Sequence, residues 1–380
     1  RKALIFISLI FTVTMVFSCF ISVFNDVSPF ASGTPDKIVS NETELLDAVN
    51  NATEPTLIAL DKYITLTQPL VIPTDKNITL TSNKINVFYK LIGPRENTII
   101  VANQSTLTIK GIIVTHTGGI GCGVLVQGGT FIMVDGEISN NWGGVEILDM
   151  GSFTMLGGKI SNNKQIHVYT SSAHWDGSGY GGGIWNGGNF TMLGGEISGN
   201  TAGFNGGGVY NTGNFTMLSG KISGNTADFN GGGVYNTGNF TMLSGKISNN
   251  KQTYTYTNSA NWSGGYGGGI WNGGNFTMLG GEISGNTADF NGGGVYNTGN
   301  FTMLSGKIYN NKADNSGGVY NAGTFNRSGG VIFGNVDLMD SIIVVVVVVV
   351  VVVGILLFYF RKRLVRRKKI IRQNVVRAVC

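Results

Sequence analysis

The chain has 380 residues, 59 of them glycine and only 6 proline, with a formal net charge of +5. So much glycine excludes an ordinary helical domain, because each glycine costs a helix about 1 kcal/mol relative to alanine. The charge excludes a nucleic-acid-binding reading once it is located: without Arg1, Lys2 and the nine cations of the last 20 residues, 15 basic residues face 21 acidic ones, a net of about −6.

Arg1 and Lys2 precede an apolar run from Ala3 to Phe24, and Ala31-Ser32-Gly33 offers a small-residue cleavage site. Residues 1–33 are therefore read as a signal peptide or an N-terminal signal anchor. Residues 34–106 are read as an N-terminal cap and first coils: Glu42–Asn50 suits a short amphipathic helix, and Leu57–Leu60, Tyr63–Leu66 and Asn77–Leu80 alternate like strands. A stacked core exposes its end, and such a helix would cover it. Of the three cysteines, Cys19 lies in the leader, Cys122 in the middle and Cys380 at the far end, so no disulfide framework is expected.

Residues 107–335 carry a repeat. Phenylalanine recurs at Phe131, Phe153, Phe190, Phe215, Phe240, Phe276, Phe301 and Phe325, with a basic step of about 25 residues. A methionine follows two residues later, from Met133 to Met303, with Arg327 in the last copy. A glycine follows at five residues (Gly136 to Gly330), an isoleucine at seven (Ile138 to Ile332) and an asparagine at ten (Asn141 to Asn335). Alternation in short segments separated by Thr-Gly, Ser-Gly and Gly-Asn puts Phe, Met and Ile inside strands and predicts three strands per unit. The expected fold is all-β, a right-handed parallel β-helix of roughly eleven coils about 4.8 Å apart. At that spacing asparagine amides can bond up a ladder, and asparagine also tolerates the left-handed conformation that a corner needs.

Six residues after each phenylalanine the series reads Glu137, Lys159, Glu196, Lys221, Lys246, Glu282, Lys307, so five of six neighbouring pairs are opposite in sign. Pairing between coils is expected to help select the register, each exposed pair contributing about 0.2–1 kcal/mol. Helical solenoids are disfavoured by the glycine content, and calcium-binding glycine-rich repeats by the lack of an aspartate in each loop. Asn-x-Ser/Thr sites, among them Asn41, Asn51, Asn77, Asn103, Asn261 and Asn326, make a surface glycoprotein plausible, while the repeated Asn-Phe-Thr from Asn189 to Asn300 suits a turn before a buried phenylalanine.

The segments Ile222-Ser-Gly-Asn225 and Gly232-Gly233-Val234-Tyr235 resemble the paired Phe-x-x-Asn and Gly-Gly-Ala-Ile motifs of chlamydial polymorphic outer membrane proteins. Adhesin-like proteins of methanogens and some protists share such repeats. The resemblance covers residues 118–335 and implies β-helical surface display and adhesion. Isoleucine replaces the family's phenylalanine here, and an apolar segment stands where the family has an autotransporter barrel.

Many β-helices process polysaccharides, which requires clustered carboxylates; the acids here recur as repeat columns or stand alone. His116, His167 and His174 are the only histidines, and His167 with His174 lies in a polar insertion without cysteine or an acidic partner except Asp176, so no metal, no cofactor and no catalytic residues are assigned. Two near-copy insertions interrupt the coils at 164–180 and 251–266. Their bases are expected at the same corner three coils apart, about 14 Å from each other. Their aromatics, Tyr169, Trp175, Tyr180, Tyr254, Tyr256, Trp262 and Tyr266, are the candidate ligand-binding residues, since flat amphipathic rings bury area at low entropic cost.

Finally, residues 341–360 form an uncharged run of 20, long enough to cross a membrane as a helix, and 361–380 is a basic tail that should stay in the cytoplasm. The sequence thus predicts a single-pass plasma-membrane protein, with a possible second span at the N-terminus. Its β-helix would lie outside as an adhesin-like, non-enzymatic binder of glycan or protein. A polysaccharide-processing enzyme is the second reading and a structural envelope component the third.

Overall fold

In each coil the chain forms three short strands, and each strand pairs in parallel with its counterpart one coil on. The computed structural model describes residues 34–166, 179–253 and 264–337. Three long sheets result. The Phe sheet has 12 strands, from Lys37–Val39 to Thr324–Arg327; the Ile sheet has 11, from Ile64–Thr65 to Val331–Phe333; the Tyr sheet has 10, from Leu70–Ile72 to Val319–Asn321. The protein is therefore a parallel β-solenoid, and its stacking runs unbroken from the first coils into the repeats. Sequence reading missed several early strands, among them Leu70–Ile72 and Ile99–Val101, because the phenylalanine that marks each repeat is absent there.

The register is the repeat itself. Phe215 pairs with Phe240, Ile222 with Ile247 and Tyr210 with Tyr235. The Phe, Met and Ile columns point inward and are fully buried through Phe301, Met303 and Ile308. Inside the Phe sheet the rings stack from Phe131 to Phe325, with centroids 4.5–5.1 Å apart. The glycine column follows from this packing: Gly220 adopts φ +90, and a Cβ there would lie 2.5 Å from the Met192 methyl of the coil below.

The asparagine column forms a buried ladder. Asn200 Nδ2 donates to Asn225 Oδ1 at 3.0 Å, and Asn225 Nδ2 donates to Asn250 Oδ1 at 2.9 Å, the series continuing from Asn141 to Asn335. Each Nδ2 also donates to a backbone carbonyl of the preceding coil, as Asn225 does to Ile197 at 2.9 Å. One expectation is corrected here: the ladder residues are not the left-handed ones. The residue before them is, either asparagine (Asn162 φ 55, Asn249 φ 56) or glycine (Gly199 φ 66, Gly224 φ 64). That preceding residue takes the corner, which leaves the next side chain free to turn inward and join the ladder.

A short fourth sheet of 4 strands follows this corner, from Lys164–Gln165 to Lys251–Gln252. On the outer face of the Ile sheet three ion pairs form among the described residues, Glu196–Lys221 at 3.6 Å, Lys246–Glu282 at 3.8 Å and Glu282–Lys307 at 3.7 Å. Glu137, expected to pair with Lys159, instead accepts a hydrogen bond from Ser161 Oγ at 2.7 Å.

The cap is an α-helix over Glu42–Asn50 that buries Leu45, Ala48 and Val49; Asn41 accepts from the Glu44 amide at its start. At the other end Arg327 replaces the core methionine, and its guanidinium donates to the carbonyls of Gly329 and Gly330. Residues 1–33, the apolar run 341–360 and the tail 361–380 lie outside the described residues. Among the described residues no helix is long and apolar enough to cross a membrane.

The Gly-Gly-Gly that precedes five Tyr-sheet strands, from Ile184–Asn186 to Val295–Asn297, is set by close approach between coils. A Cβ on Gly233 would lie 2.6 Å from the Gly269 carbonyl oxygen and 2.9 Å from the Asn250 amide nitrogen. Gly233→Ala should therefore destabilise the solenoid by about 1–3 kcal/mol, because backbone rather than a flexible side chain must yield. Chemical denaturation of the two proteins checks this; an unchanged midpoint would show that the coils can separate at no cost.

Candidate binding surface

Six strands of the Tyr sheet, from Ile184–Asn186 to Val319–Asn321, read Val-Tyr-Asn or Ile-Trp-Asn. With period two, Val or Ile and Asn point inward and the aromatic residue points out. Parallel in-register stacking turns these single aromatics into a ladder: Trp185, Tyr210, Tyr235, Trp271, Tyr296, Tyr320. Centroids are 5.1 Å apart for Tyr210–Tyr235, 4.3 Å for Tyr235–Trp271 and 5.0 Å for Tyr296–Tyr320, with interplanar angles of 5° or less. The two remaining steps, Trp185–Tyr210 and Trp271–Tyr296, are each 6.5 Å.

A second asparagine ladder, buried through Asn297, fixes this alignment from within. Asn186, Asn211, Asn236, Asn272, Asn297 and the exposed Asn321 bond amide to amide at 2.6–2.7 Å. A third, Asn189 to Asn300, runs along the exposed side of the next corner at 2.9–3.0 Å. These last are the asparagines of the repeated Asn-Phe-Thr, so their side chains serve coil stacking.

Because neighbouring rings cover one another's faces, the ladder offers edges and phenolic hydroxyls to solvent. Burial pushes the phenols of Tyr180, Tyr210, Tyr235 and Tyr296 above the usual tyrosine range, and neighbouring tyrosines add to this at the last three. They are thus neutral hydrogen-bond donors at physiological pH.

Of the insertion aromatics, Tyr169, Trp175, Tyr254, Tyr256 and Trp262 lie outside the described residues. Tyr180 and Tyr266, where the chain rejoins the coil, are both brought onto the ladder. Tyr180 sits 4.9 Å from Tyr210 and edge-on to Phe204 at 5.2 Å; Tyr266 stacks on Tyr296 at 4.5 Å. The insertions leave from Gln165 and Gln252, whose strands are three coils apart in one short sheet, as their spacing implied. Both therefore return to the same aromatic flank.

The ladder residues themselves were not singled out from the sequence. Their signal is simple: each lies five residues before a repeat phenylalanine. Below Trp185 the column changes chemistry, since Glu146 pairs in register with Trp185 on one side and Leu125 on the other. His116 is buried, its Nδ1 accepting from the Gly118 amide at 2.9 Å and its Nε2 lying 2.9 Å from the Gly121 carbonyl, so it pins a turn. Burial lowers its pKa, the backbone contacts opposing this. Among the described residues no three His, Cys, Asp or Glu side chains converge to hold a metal ion. No protein-family model, curated protein or solved structure matches the chain.

Proposed function

We propose that the chain is a membrane-anchored, non-catalytic display protein whose solenoid presents the Tyr-sheet flank to a glycan or protein partner outside the cell. The apolar run 341–360 serves as the span and the basic tail 361–380 holds the orientation. The observation that carries the reading is the one-sided ladder from Trp185 to Tyr320: one flank shows aromatic edges and hydroxyls, whereas the outer face of the Ile sheet carries alternating Lys and Glu. A row of neutral donors repeating about every 4.8 Å suits a partner with regularly spaced acceptors, such as sugar hydroxyls or strand carbonyls. The resemblance of the repeats to those of surface adhesins points the same way.

A second reading, a purely structural envelope component, is favoured by the mutual stacking of the rings, which stabilises the coils by about 0.5–1.5 kcal/mol per pair without any ligand. One variant separates the two. Replacing Tyr210, Tyr235 and Tyr296 together by phenylalanine keeps the stack and removes the hydroxyls. Cells displaying that variant should bind a glycan array or target-cell surface about tenfold more weakly than wild type, with unchanged thermal stability. Equal binding by both proteins would leave the structural reading standing.

A further inference from the structure

At the lower end of the ladder lies a cavity of about 210 Å³, lined in part by Cys122, Trp142, Glu146, Gln165, Tyr180 and Trp185. Two of these residues break the repeat. Trp142 follows the ladder asparagine Asn141, where the next coils carry Lys164, Thr201 and Thr226. Glu146 occupies an outward column that otherwise holds Leu125 below and aromatics above. Both departures fall in one coil and meet in one cavity.

The Glu146 side chain is half-buried, and no described residue provides an ion pair or a hydrogen bond to its carboxylate; burial alone pushes its pKa up. Among the described residues no basic side chain lines the cavity. This half-buried carboxylate shares the cavity with three aromatic residues and has no positive partner among the described residues, and a cation placed there gains from both the carboxylate and the ring quadrupoles. The volume falls below the roughly 300–1,000 Å³ of pockets that bury a drug-sized ligand, so it suits a small head group. Trp185 stacks on Tyr210 on one side and has Glu146 as its register neighbour on the other, so its second ring face is not taken by the ladder.

We propose that this cavity binds an alkylammonium group, with the ammonium against Glu146, its carbon substituents against Trp142, Tyr180 and Trp185, and the Gln165 amide at the same wall. The site stands whether or not the ladder edge binds a partner, since it uses the lower end of the column and not its hydroxyl row. A lysine or methylated lysine of a protein and a choline head group share this chemistry.

The full chain, held in a maltoside detergent that carries no choline, is titrated with choline and with 3,3-dimethylbutan-1-ol, its neutral carbon isostere, by calorimetry and tryptophan fluorescence. Choline should bind at least about tenfold more tightly than the isostere. Glu146→Gln should abolish that preference at an unchanged thermal midpoint. Parallel titrations with a trimethyl-lysine peptide, a lysine peptide and phosphocholine then distinguish a protein side chain from a lipid-type head group as the source. Equal binding of choline and the isostere, tighter binding of N-acetylglucosamine than of choline, or no saturable binding of any ammonium probe would each overturn the proposal. The comparison of choline with its isostere needs no variant, so it stays decisive even if Glu146→Gln fails to fold.

Discussion

Asn225→Ala should lower stability by about 3–5 kcal/mol, which is large for a single side-chain truncation. Asn225 is fully buried and serves four hydrogen bonds through its amide: its Oδ1 accepts from the Asn200 backbone and side-chain nitrogens, and its Nδ2 donates to the Ile197 carbonyl and Asn250 Oδ1. Alanine leaves the Asn200 backbone N–H and one of its Nδ2 hydrogens without partners, each costing about 1–3 kcal/mol in a dry core, while Asn200 Nδ2 keeps its bond to the Ile160 carbonyl. Since coils interact only with their neighbours, the damage should be local. Hydrogen exchange should show loss of protection at the coils containing Asn200 and Asn225 and little change at the capping helix. Uniform protection across the chain would mean the ladder contributes little beyond backbone pairing.

Phe240→Ala is expected to cost a similar amount, about 3–5 kcal/mol, for a different reason. The ring is buried between Phe215 at 4.5 Å and Phe276 at 4.9 Å, so truncation opens a cavity that the neighbouring coils, held in register by their own backbone bonds, cannot close. Phe240→Leu retains most of the volume and should cost clearly less. Denaturant titration of the two variants gives the comparison; equal losses would assign the effect to ring stacking and not to volume.

These two residues also show what was legible in the sequence. Parallel in-register stacking makes every column of the aligned repeat a physical column, so the repeat alone places Phe240, Met242, Ile247 and Asn250. Corner geometry was less legible, because asparagine suits both a ladder and a left-handed turn, and only the backbone shows that Asn249 turns while Asn250 bonds. The aromatic flank was legible in part. Tyr180 and Tyr266 were identified through their insertions, but Tyr210 and Tyr235 looked like ordinary outward residues of very short strands until stacking joined them.

Glu146 was hidden by a length change. Its strand reaches the next phenylalanine, Phe153, in seven residues where Trp185 reaches Phe190 in five. Alignment on phenylalanine therefore sets Leu148 in the column that the backbone gives to Glu146. The extra residues are taken up in a turn where Met150 adopts φ 66.

The proposed display function requires the Tyr sheet to face the outside of the cell and the basic tail the inside. A membrane-impermeant maleimide tests this on intact cells. Ser219 is exposed at a turn of the repeat, so Ser219→Cys supplies the reporter for the proposed outer side, and Cys380 of the basic tail the reporter for the proposed inner side. Cys122 is buried and its thiol is pushed well above the usual range by burial and the nearby Glu146, so it should stay silent. Display outside predicts that Ser219→Cys is labelled on intact cells and that Cys380 is labelled only after permeabilisation. Labelling of Cys380 on intact cells with Ser219→Cys protected would contradict the account.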